Sequence, residues 1–461
     1  MSAPGTSFMP APSARVASPA AGTSFTRSRA VRVASGLASF GVVVGFSLVG
    51  ATPASAATDA DCTLANTVDA TAGGTSSDIQ DLLTSLEPVI CLSGTFTLTA
   101  GLTYNYNVTL HGLPTATLDG NSTYGILTDT GSNTLTVENL RFTNGDAVDG
   151  GAINGYGVIV QNSRFDNNVA FDSGGAISAY GVEISDSVFE NNEALNGGAV
   201  LAQFVSVERT TFTNNSAGDS GGAIAGYAVT EVTSSTFNGN SAFNVGGAIA
   251  SYGTFTVENS TFFENSTDPG DGYAGGIFSA GGDILQSTFL DNTANPTGGQ
   301  SIGNDGGTLN LRGNIFAGSD STAPHLYAGG IVDQGGNLFT TPEAIEALTS
   351  VKPSTQFDLT TLAIFNGATL ADNGGPTRTV ALYSGSPAIN AVPADPDSLT
   401  IDQRGVARPA VSDAGAYEFV APVLAATGSS APIGLLGGAA ALLLAGGALA
   451  LGLARRVVRA R

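Results

Sequence analysis

The chain has 461 residues, 38 acidic against 16 basic, two histidines and a formal net charge of −22. That balance excludes nucleic acid as a partner, and acidic polymers as well unless cations intervene. With 62 glycines, two cysteines and no tryptophan, the composition points to a turn-rich chain in which histidine-based catalysis has little material to work with.

Residues 1–56 contain no Asp or Glu and carry Arg15, Arg27, Arg29 and Arg32 ahead of an apolar, Gly-broken stretch from Val33 to Gly50. Ala54-Ser55-Ala56 then forms a small-x-small site, with cleavage expected before Ala57. The three parts together predict a secretory signal peptide. All 38 acidic residues lie beyond it, against 8 of the basic ones, so residues 57–427 carry about −30. Cys62 and Cys91 stand near the start of that exported body. Outside the cell they are free to pair, and a bridge closing about 30 residues would contribute roughly 3–4 kcal/mol. Residues 57–134 are expected to form an N-terminal cap and the first coils.

Internal repetition dominates residues 135–370. Phe followed two or three places later by Asn occurs at Phe142, Phe165, Phe189, Phe212, Phe237, Phe262 and Phe289, with a degenerate copy at Phe316. Gly-Gly-Ala-Ile/Val begins at Gly150, Gly174, Gly197, Gly221 and Gly246, then decays through Gly275 and Gly298. Both markers recur every 23 to 29 residues. Short β-branched runs such as Val158-Ile159-Val160 and Val182-Glu183-Ile184 lie between them and read as strands. A unit of that length is too short for a propeller blade and fits one coil of an all-β, parallel β-solenoid. Ten to twelve coils about 4.8 Å apart would extend roughly 50 Å. Stacking places the Phe and Ile/Val columns inside. Asn at a fixed turn would bond neighbouring backbone, and the Gly pair would serve positive φ or close approach.

Three features invite functional readings. Tyr156, Tyr180, Tyr227 and Tyr252 each sit six residues after the first Gly, with Phe204 one place off. A repeated aromatic column ordinarily serves the core or a turn, which is the expectation here; turned outward, it would be a ladder for stacking glycan rings. Asp149, Asp172, Asn196, Asp219 and Asn244 precede the Gly pair and read as turn residues, with rows of calcium ligands as the alternative. Asp268 and Asp271, in a lengthened loop, are weaker calcium candidates. No firm metal or cofactor site emerges. Gly218-Asp219-Ser220-Gly221-Gly222 matches a serine-nucleophile segment, but its repeat phase makes Ser220 a turn residue. Arg141, Arg164 and Arg209 share, or nearly share, one phase before the Phe and read as a structural column rather than a lyase base. No catalytic constellation is apparent.

At the far end, Ile433–Ala454 is 22 uncharged residues, about 33 Å as a helix, which suits a transmembrane span. Arg455, Arg456, Arg459 and Arg461 within the 455–461 tail would keep the C-terminus cytoplasmic.

The Gly-Gly-Ala-Ile and Phe-x-x-Asn repeats resemble those of chlamydial polymorphic membrane proteins and related bacterial surface β-helices. That resemblance implies a right-handed, pectin-lyase-like parallel β-helix. Gly385-Ser386-Pro387-Ala388-Ile389-Asn390, Asp402-Gln403-Arg404-Gly405 and Asp413-Ala414-Gly415-Ala416-Tyr417-Glu418 resemble the choice-of-anchor Q domain, so residues 371–420 are expected to close the exit of the solenoid. Leu424-Ala425-Ala426-Thr427-Gly428 resembles a sortase motif, with Ala at its second place as in an actinobacterial variant. The resemblance implies that residues 424–461 are a sorting signal. A sortase would attack the Thr427 carbonyl, release Gly428 onward and join the protein to peptidoglycan. Five residues between Glu418 and Leu424 leave no stalk. These features predict a wall-anchored surface protein, structural or adhesive, with glycans or a neighbouring or host surface as partners. The rival is a wall-anchored polysaccharide lyase or glycoside hydrolase on the same fold.

Overall fold

The computed structural model describes residues 58–421 apart from 319–323, 328, 342–347, 350 and 397. The signal segment with Ala54, Ala56 and Ala57, the 424–428 motif, the 433–454 span and the Arg tail lie outside the described residues. The described chain to Phe419 forms one unit.

Period-two runs become strands that pair in parallel with the equivalent run one coil away. Ile153 aligns with Ile177, Val200, Ile224, Ile249, Ile277 and Ile302 in unbroken register. The Phe strands align in the same way. Their shared position runs from Phe96 through Leu118, Phe142 and each repeat Phe to Phe316 and Phe339, with Phe357 stacked on the last ring. That is twelve coils of a parallel β-solenoid. From Phe142 to Phe339 the rings are fully buried, with successive centroids 4.7–5.0 Å apart, the spacing of hydrogen-bonded strands.

Two corner ladders turn the coil. After each Phe strand one residue takes positive φ (Asn167, Asn191, Asn214). The next is a fully buried Asn: Asn168, Asn192, Asn215, Asn240 or Asn265. Asn192 Nδ2 donates to Phe165 O at 3.0 Å and to Asn215 Oδ1 at 2.9 Å, while Asn192 Oδ1 accepts from the backbone N and Nδ2 of Asn168. The pattern repeats from Asn168 to Asn265, with Asn292 accepting from the last of them, so the buried amides between have no unmet group. At the corner before the Phe strand, Ser163, Ser187, Thr210, Ser235 and Ser260 do the same with hydroxyls, each accepting from the backbone N one coil earlier or donating to a carbonyl two residues back. The glycine pair makes the third corner. Gly197 needs positive φ, and a Cβ on Gly198 would run into the carbonyl oxygen of Gly222 in the next coil.

At the N-terminal end, Ser76–Thr84 is a helix whose capping box pairs Thr75 with Asp78 and whose Ile79 and Leu83 are buried. A Cys62–Cys91 disulfide, Cα–Cα 5.8 Å, ties the incoming chain to the strand Val89–Ser93. His111 is buried between Glu138 and Asp59.

The C-terminal module departs from expectation. Residues 371–420 do not lie over the end of the solenoid; they run back along its flank. Gln403 spans two coils, accepting from Thr261 Oγ1 at 2.6 Å and donating to Thr236 Oγ1 at 2.8 Å. The buried Arg408 donates to Asn259 Oδ1, Gly415 O, Asp413 O and Ile401 O and pairs with Glu418 at 3.0 Å. Gly415 N donates to Gly313 O. The reason is written on the outward side of the Phe strands. The position after the Phe is Asp166, Glu190, Thr213 and Asn238 in earlier coils, then Phe263, Leu290 and Ala317. Leu290, Ile315, Ala317 and Leu338 form a second core outside the solenoid with Ile364, Phe365, Val380, Leu382 and Val392. Burying that face is worth more than leaving it to water. The strap is antiparallel where the solenoid is parallel, Phe365–Ala371 pairing with Thr379–Leu382.

Replacing Asn215 with Ala removes the acceptor of the Asn192 backbone N–H and of one Asn192 Nδ2 hydrogen, and the side-chain donor to the Phe189 carbonyl. We expect a loss of about 3–5 kcal/mol in urea unfolding, against less than about 0.5 kcal/mol for exposed Ser206→Ala. A second prediction concerns acid. Burial lowers the His325 imidazole from 6.5 to about 4. Between those values the unfolded chain binds the proton and the folded one does not, so stability is full above about pH 6.5 and falls as pH drops through the window. The loss should reach on the order of 3 kcal/mol near pH 4 and should shrink in His325→Gln, read by urea titration at stepped pH.

Candidate functional site

The strands Ile153–Gln161, Ile177–Ser185 and Ile224–Thr233 carry the tyrosine column. Alternation from buried Val158 and Val160 would put Tyr156 inside. Instead Gly157 and Val158 are both buried, so the strand kinks there and reverses its parity. Tyr156 and, by the same kink, Tyr180 therefore point outward; Tyr227 and Tyr252 do so by plain alternation from Thr230 and Phe255, and all four are 39–43 % exposed. This corrects the expectation that the column is core. Tyr156 stacks on Tyr180 at 4.9 Å and Tyr227 on Tyr252 at 5.3 Å. Phe204 meets Tyr180 edge-on at 67° where a register shift interrupts the row. The rings thus face one another and offer solvent their edges and hydroxyls. A ligand would lie across phenol edges rather than flat on ring faces.

The acidic residues before the Gly pair also rearrange. They lie in a six-stranded sheet that includes Asp146–Asp149, Val169–Ser173, Glu193–Asn196 and Ser216–Ser220. These strands alternate between four and five residues. Bulges therefore put Asp149, Ser173, Asn196 and Ser220 in register and leave Asp172 and Asp219 one place behind. The supposed single column is two interleaved half-columns, which separates like charges. The carboxylates border the aromatic row. Partial burial, with Tyr252, Asp219 and Asp172 nearby, pushes the Tyr227 phenol above its ordinary value. Burial raises Tyr252 too, against a side-chain hydrogen bond with Ser220.

A third column was not anticipated. Val148, Phe171, Leu195 and Phe243 project from the outer face of the six-stranded sheet, Phe171 at 82 % exposure. Its signal was available: Ala-Val-Asp, Ala-Phe-Asp, Ala-Leu-Asn and Ala-Phe-Asn precede four of the Gly corners, with the Ala inward and the middle residue outward, while Ala217-Gly218-Asp219 leaves a gap in the coil before Phe243. Apolar, acidic and aromatic positions therefore run side by side over five coils, the apolar row broken at Gly218 and the tyrosine row at Phe204.

The remaining candidates are structural in place. Ser220 is buried and donates to Asn196 Oδ1 at 2.8 Å. The histidines are engaged elsewhere, His325 with Ser301 and Thr340. Arg141 and Arg164 stack in register on Asp166, and Arg164 also pairs with Glu190. Arg209 lies two residues ahead of the strand position and pairs with Asp186 and Glu208. Arg312 holds Asp395. Each arginine of the repeat region is thus committed to a carboxylate. Asp268 Oδ1 accepts from the backbone N of Gly270 and Asp271, closing a turn. Among the described residues no group of three or more His, Cys, Asp or Glu is arranged to hold a metal, and no helix is long and apolar enough to cross a membrane. Sequence reasoning missed the Gln403 and Arg408 clamps, which fasten the strap to the solenoid.

Known proteins resemble this chain in limited ways. Residues 209–227, most of one coil, match the Chlamydia polymorphic membrane protein repeat. No curated protein matches. Among solved structures, a mutant of AlyGC, a PL6-family alginate lyase, aligns with a TM-score of 0.35 and 13% identity, over 77% of this chain and 59% of that one. The chain thus spans about three fifths of that structure's length.

Proposed function

We propose that this chain is an exported, surface-displayed β-solenoid that binds a partner along its aromatic and acidic flank and catalyses no reaction. The outward tyrosine row carries this reading. Within each tyrosine pair, rings and hydroxyls advance by one coil, comparable with one sugar ring in an extended glycan, and Phe204 separates the two pairs. The carboxylates beside the row favour a neutral or amino-bearing glycan over an acidic one. The one-coil match to a membrane-protein repeat supports display at a surface. The 424–428 motif, followed by an apolar stretch and Arg tail, supports covalent attachment to peptidoglycan by a sortase. The degradative rival needs a free base or paired carboxylates in a cleft. The committed arginines of the repeat region speak against it.

Residues 57–423 applied to a glycan array should bind neutral or amino sugars. Tyr156→Ser with Tyr180→Ser should weaken binding at least about tenfold, since it removes two phenol edges and moves two hydroxyls, each hydrogen bond contributing about 1 kcal/mol. Binding unchanged by those substitutions would move the site elsewhere. Turnover in a reducing-sugar or unsaturated-product assay, abolished by one acidic substitution, would replace this reading with the degradative one. For attachment, Thr427→Ala should move the protein from the wall fraction to the membrane fraction; no movement would remove the sortase from the account.

A further inference from the structure

The strap ends its run along the flank at a cavity. The hairpin formed by Phe365–Ala371 and Thr379–Leu382 reaches the coils of Phe189, Phe212 and Phe237, and a cavity of about 270 Å³ lies between hairpin and solenoid. Its floor is two adjacent columns of the Phe strands. One holds Glu190, Thr213 and Asn238; the other holds Val188 and Thr211. From the hairpin side the lining is completed by apolar Leu370 and by the exposed Arg378.

Arg378 is the unusual member. Every other arginine of the described region forms an ion pair: Arg141 and Arg164 with Asp166, Arg209 with Asp186, Arg312 with Asp395, Arg404 with Asp402, Arg408 with Glu418. The Arg378 side chain has no carboxylate partner among the described residues. Its main chain is fixed all the same: its carbonyl accepts from Thr236 Oγ1 at 2.6 Å. A body of about −30 thus presents, beside a hydroxyl-lined hollow, one arginine whose main chain is anchored and whose guanidinium has no ion-pair partner among the described residues. Glu190, the cavity's own carboxylate, is neutralised by Arg164 and remains able to accept from a hydroxyl.

We propose that this cavity is a second binding site, distinct from the tyrosine flank, for one carboxylated sugar unit. The ligand carboxylate takes the Arg378 fork, its hydroxyls meet Thr211, Thr213, Asn238 and Glu190, and its C–H face lies against Val188 and Leu370. A planar fork suits a carboxylate better than a point charge would. The Thr and Asn floor selects a polyol over a simple acid. The volume admits a single ring rather than a chain, so the site reads an end or a branch.

The test uses the solenoid unit, which forms its own cores, titrated with glucuronate, N-acetylneuraminate, glucose and acetate by saturation-transfer NMR. At least one of the two acidic sugars should bind about tenfold more tightly than glucose and acetate both. Arg378→Gln, an exposed change, should bring it down to the glucose level with the thermal midpoint unmoved. Thr213→Val should weaken acidic and neutral sugars alike. Tyr156→Ser with Tyr180→Ser should leave this binding intact, which separates it from the flank. Acetate binding as well as the acidic sugars would reduce the site to a carboxylate contact and overturn the sugar assignment. Equal binding by the wild type and Arg378→Gln, or no saturable binding of either acidic sugar, would overturn the site itself.

Discussion

A buried carboxamide has two donors and one acceptor to satisfy, and in this solenoid its partners are the copies of itself above and below. The Asn ladder is the constraint from which the rest follows. Asn240 can be buried only because Asn215 and Asn265 occupy the same place in neighbouring coils. A coil that slipped by one residue would leave unmet amides in an apolar interior, at a cost of several kcal/mol. The ladder therefore fixes register as well as stability. With register fixed, the Phe rings must stack, the Ile column must align, and the glycines must tolerate a carbonyl where a Cβ would be. Polar specificity and apolar packing are two consequences of one periodic placement.

The same rule makes charge awkward. In a stack, a favourable residue is repeated next to itself, and a repeated carboxylate repels its copy. The chain meets this in two ways. On the Phe strands, Arg141 and Arg164 stack in one column and Asp166 and Glu190 in another on the far side of the Phe, and ion pairs across the two columns offset the repulsion within each. On the six-stranded sheet, alternate strand lengths displace every second Asp by one residue. The functional surface is thus shaped partly by how the fold avoids its own repulsion.

The periodic part of the molecule was legible because period is what a sequence displays. Phe165, Asn168 and Gly174 announce their roles by recurring, and a single coil would have said little. Orientation was less legible. Parity counted from Val158 puts Tyr156 inside, and only the kink at Gly157 turns it out. The strap was hidden for another reason. Gln403 reaches Thr261 across 142 residues, and Arg408 reaches Asn259 across 149. No local pattern encodes such contacts. A trace existed in the change from Asp166 and Glu190 to Phe263 and Leu290 at one repeat position, which marks where the solenoid expects to be covered. Arg378 had no repeat partner to set it apart; its isolation is visible only once the other arginines are seen to be paired.

The route of the chain past Glu418 has a mechanical meaning. The polypeptide leaves the solenoid from the middle of its side, beside Asn259 and Thr288, and not from its last coil. A pull on the segment beyond is delivered first to the Arg408–Glu418 pair and the hydrogen bonds around it. Those bonds share the load at once, and the terminal coils are not in its path. Tension would have to strip the strap before any rung could unwind, so the strap works as a crash barrier for the coils beneath it.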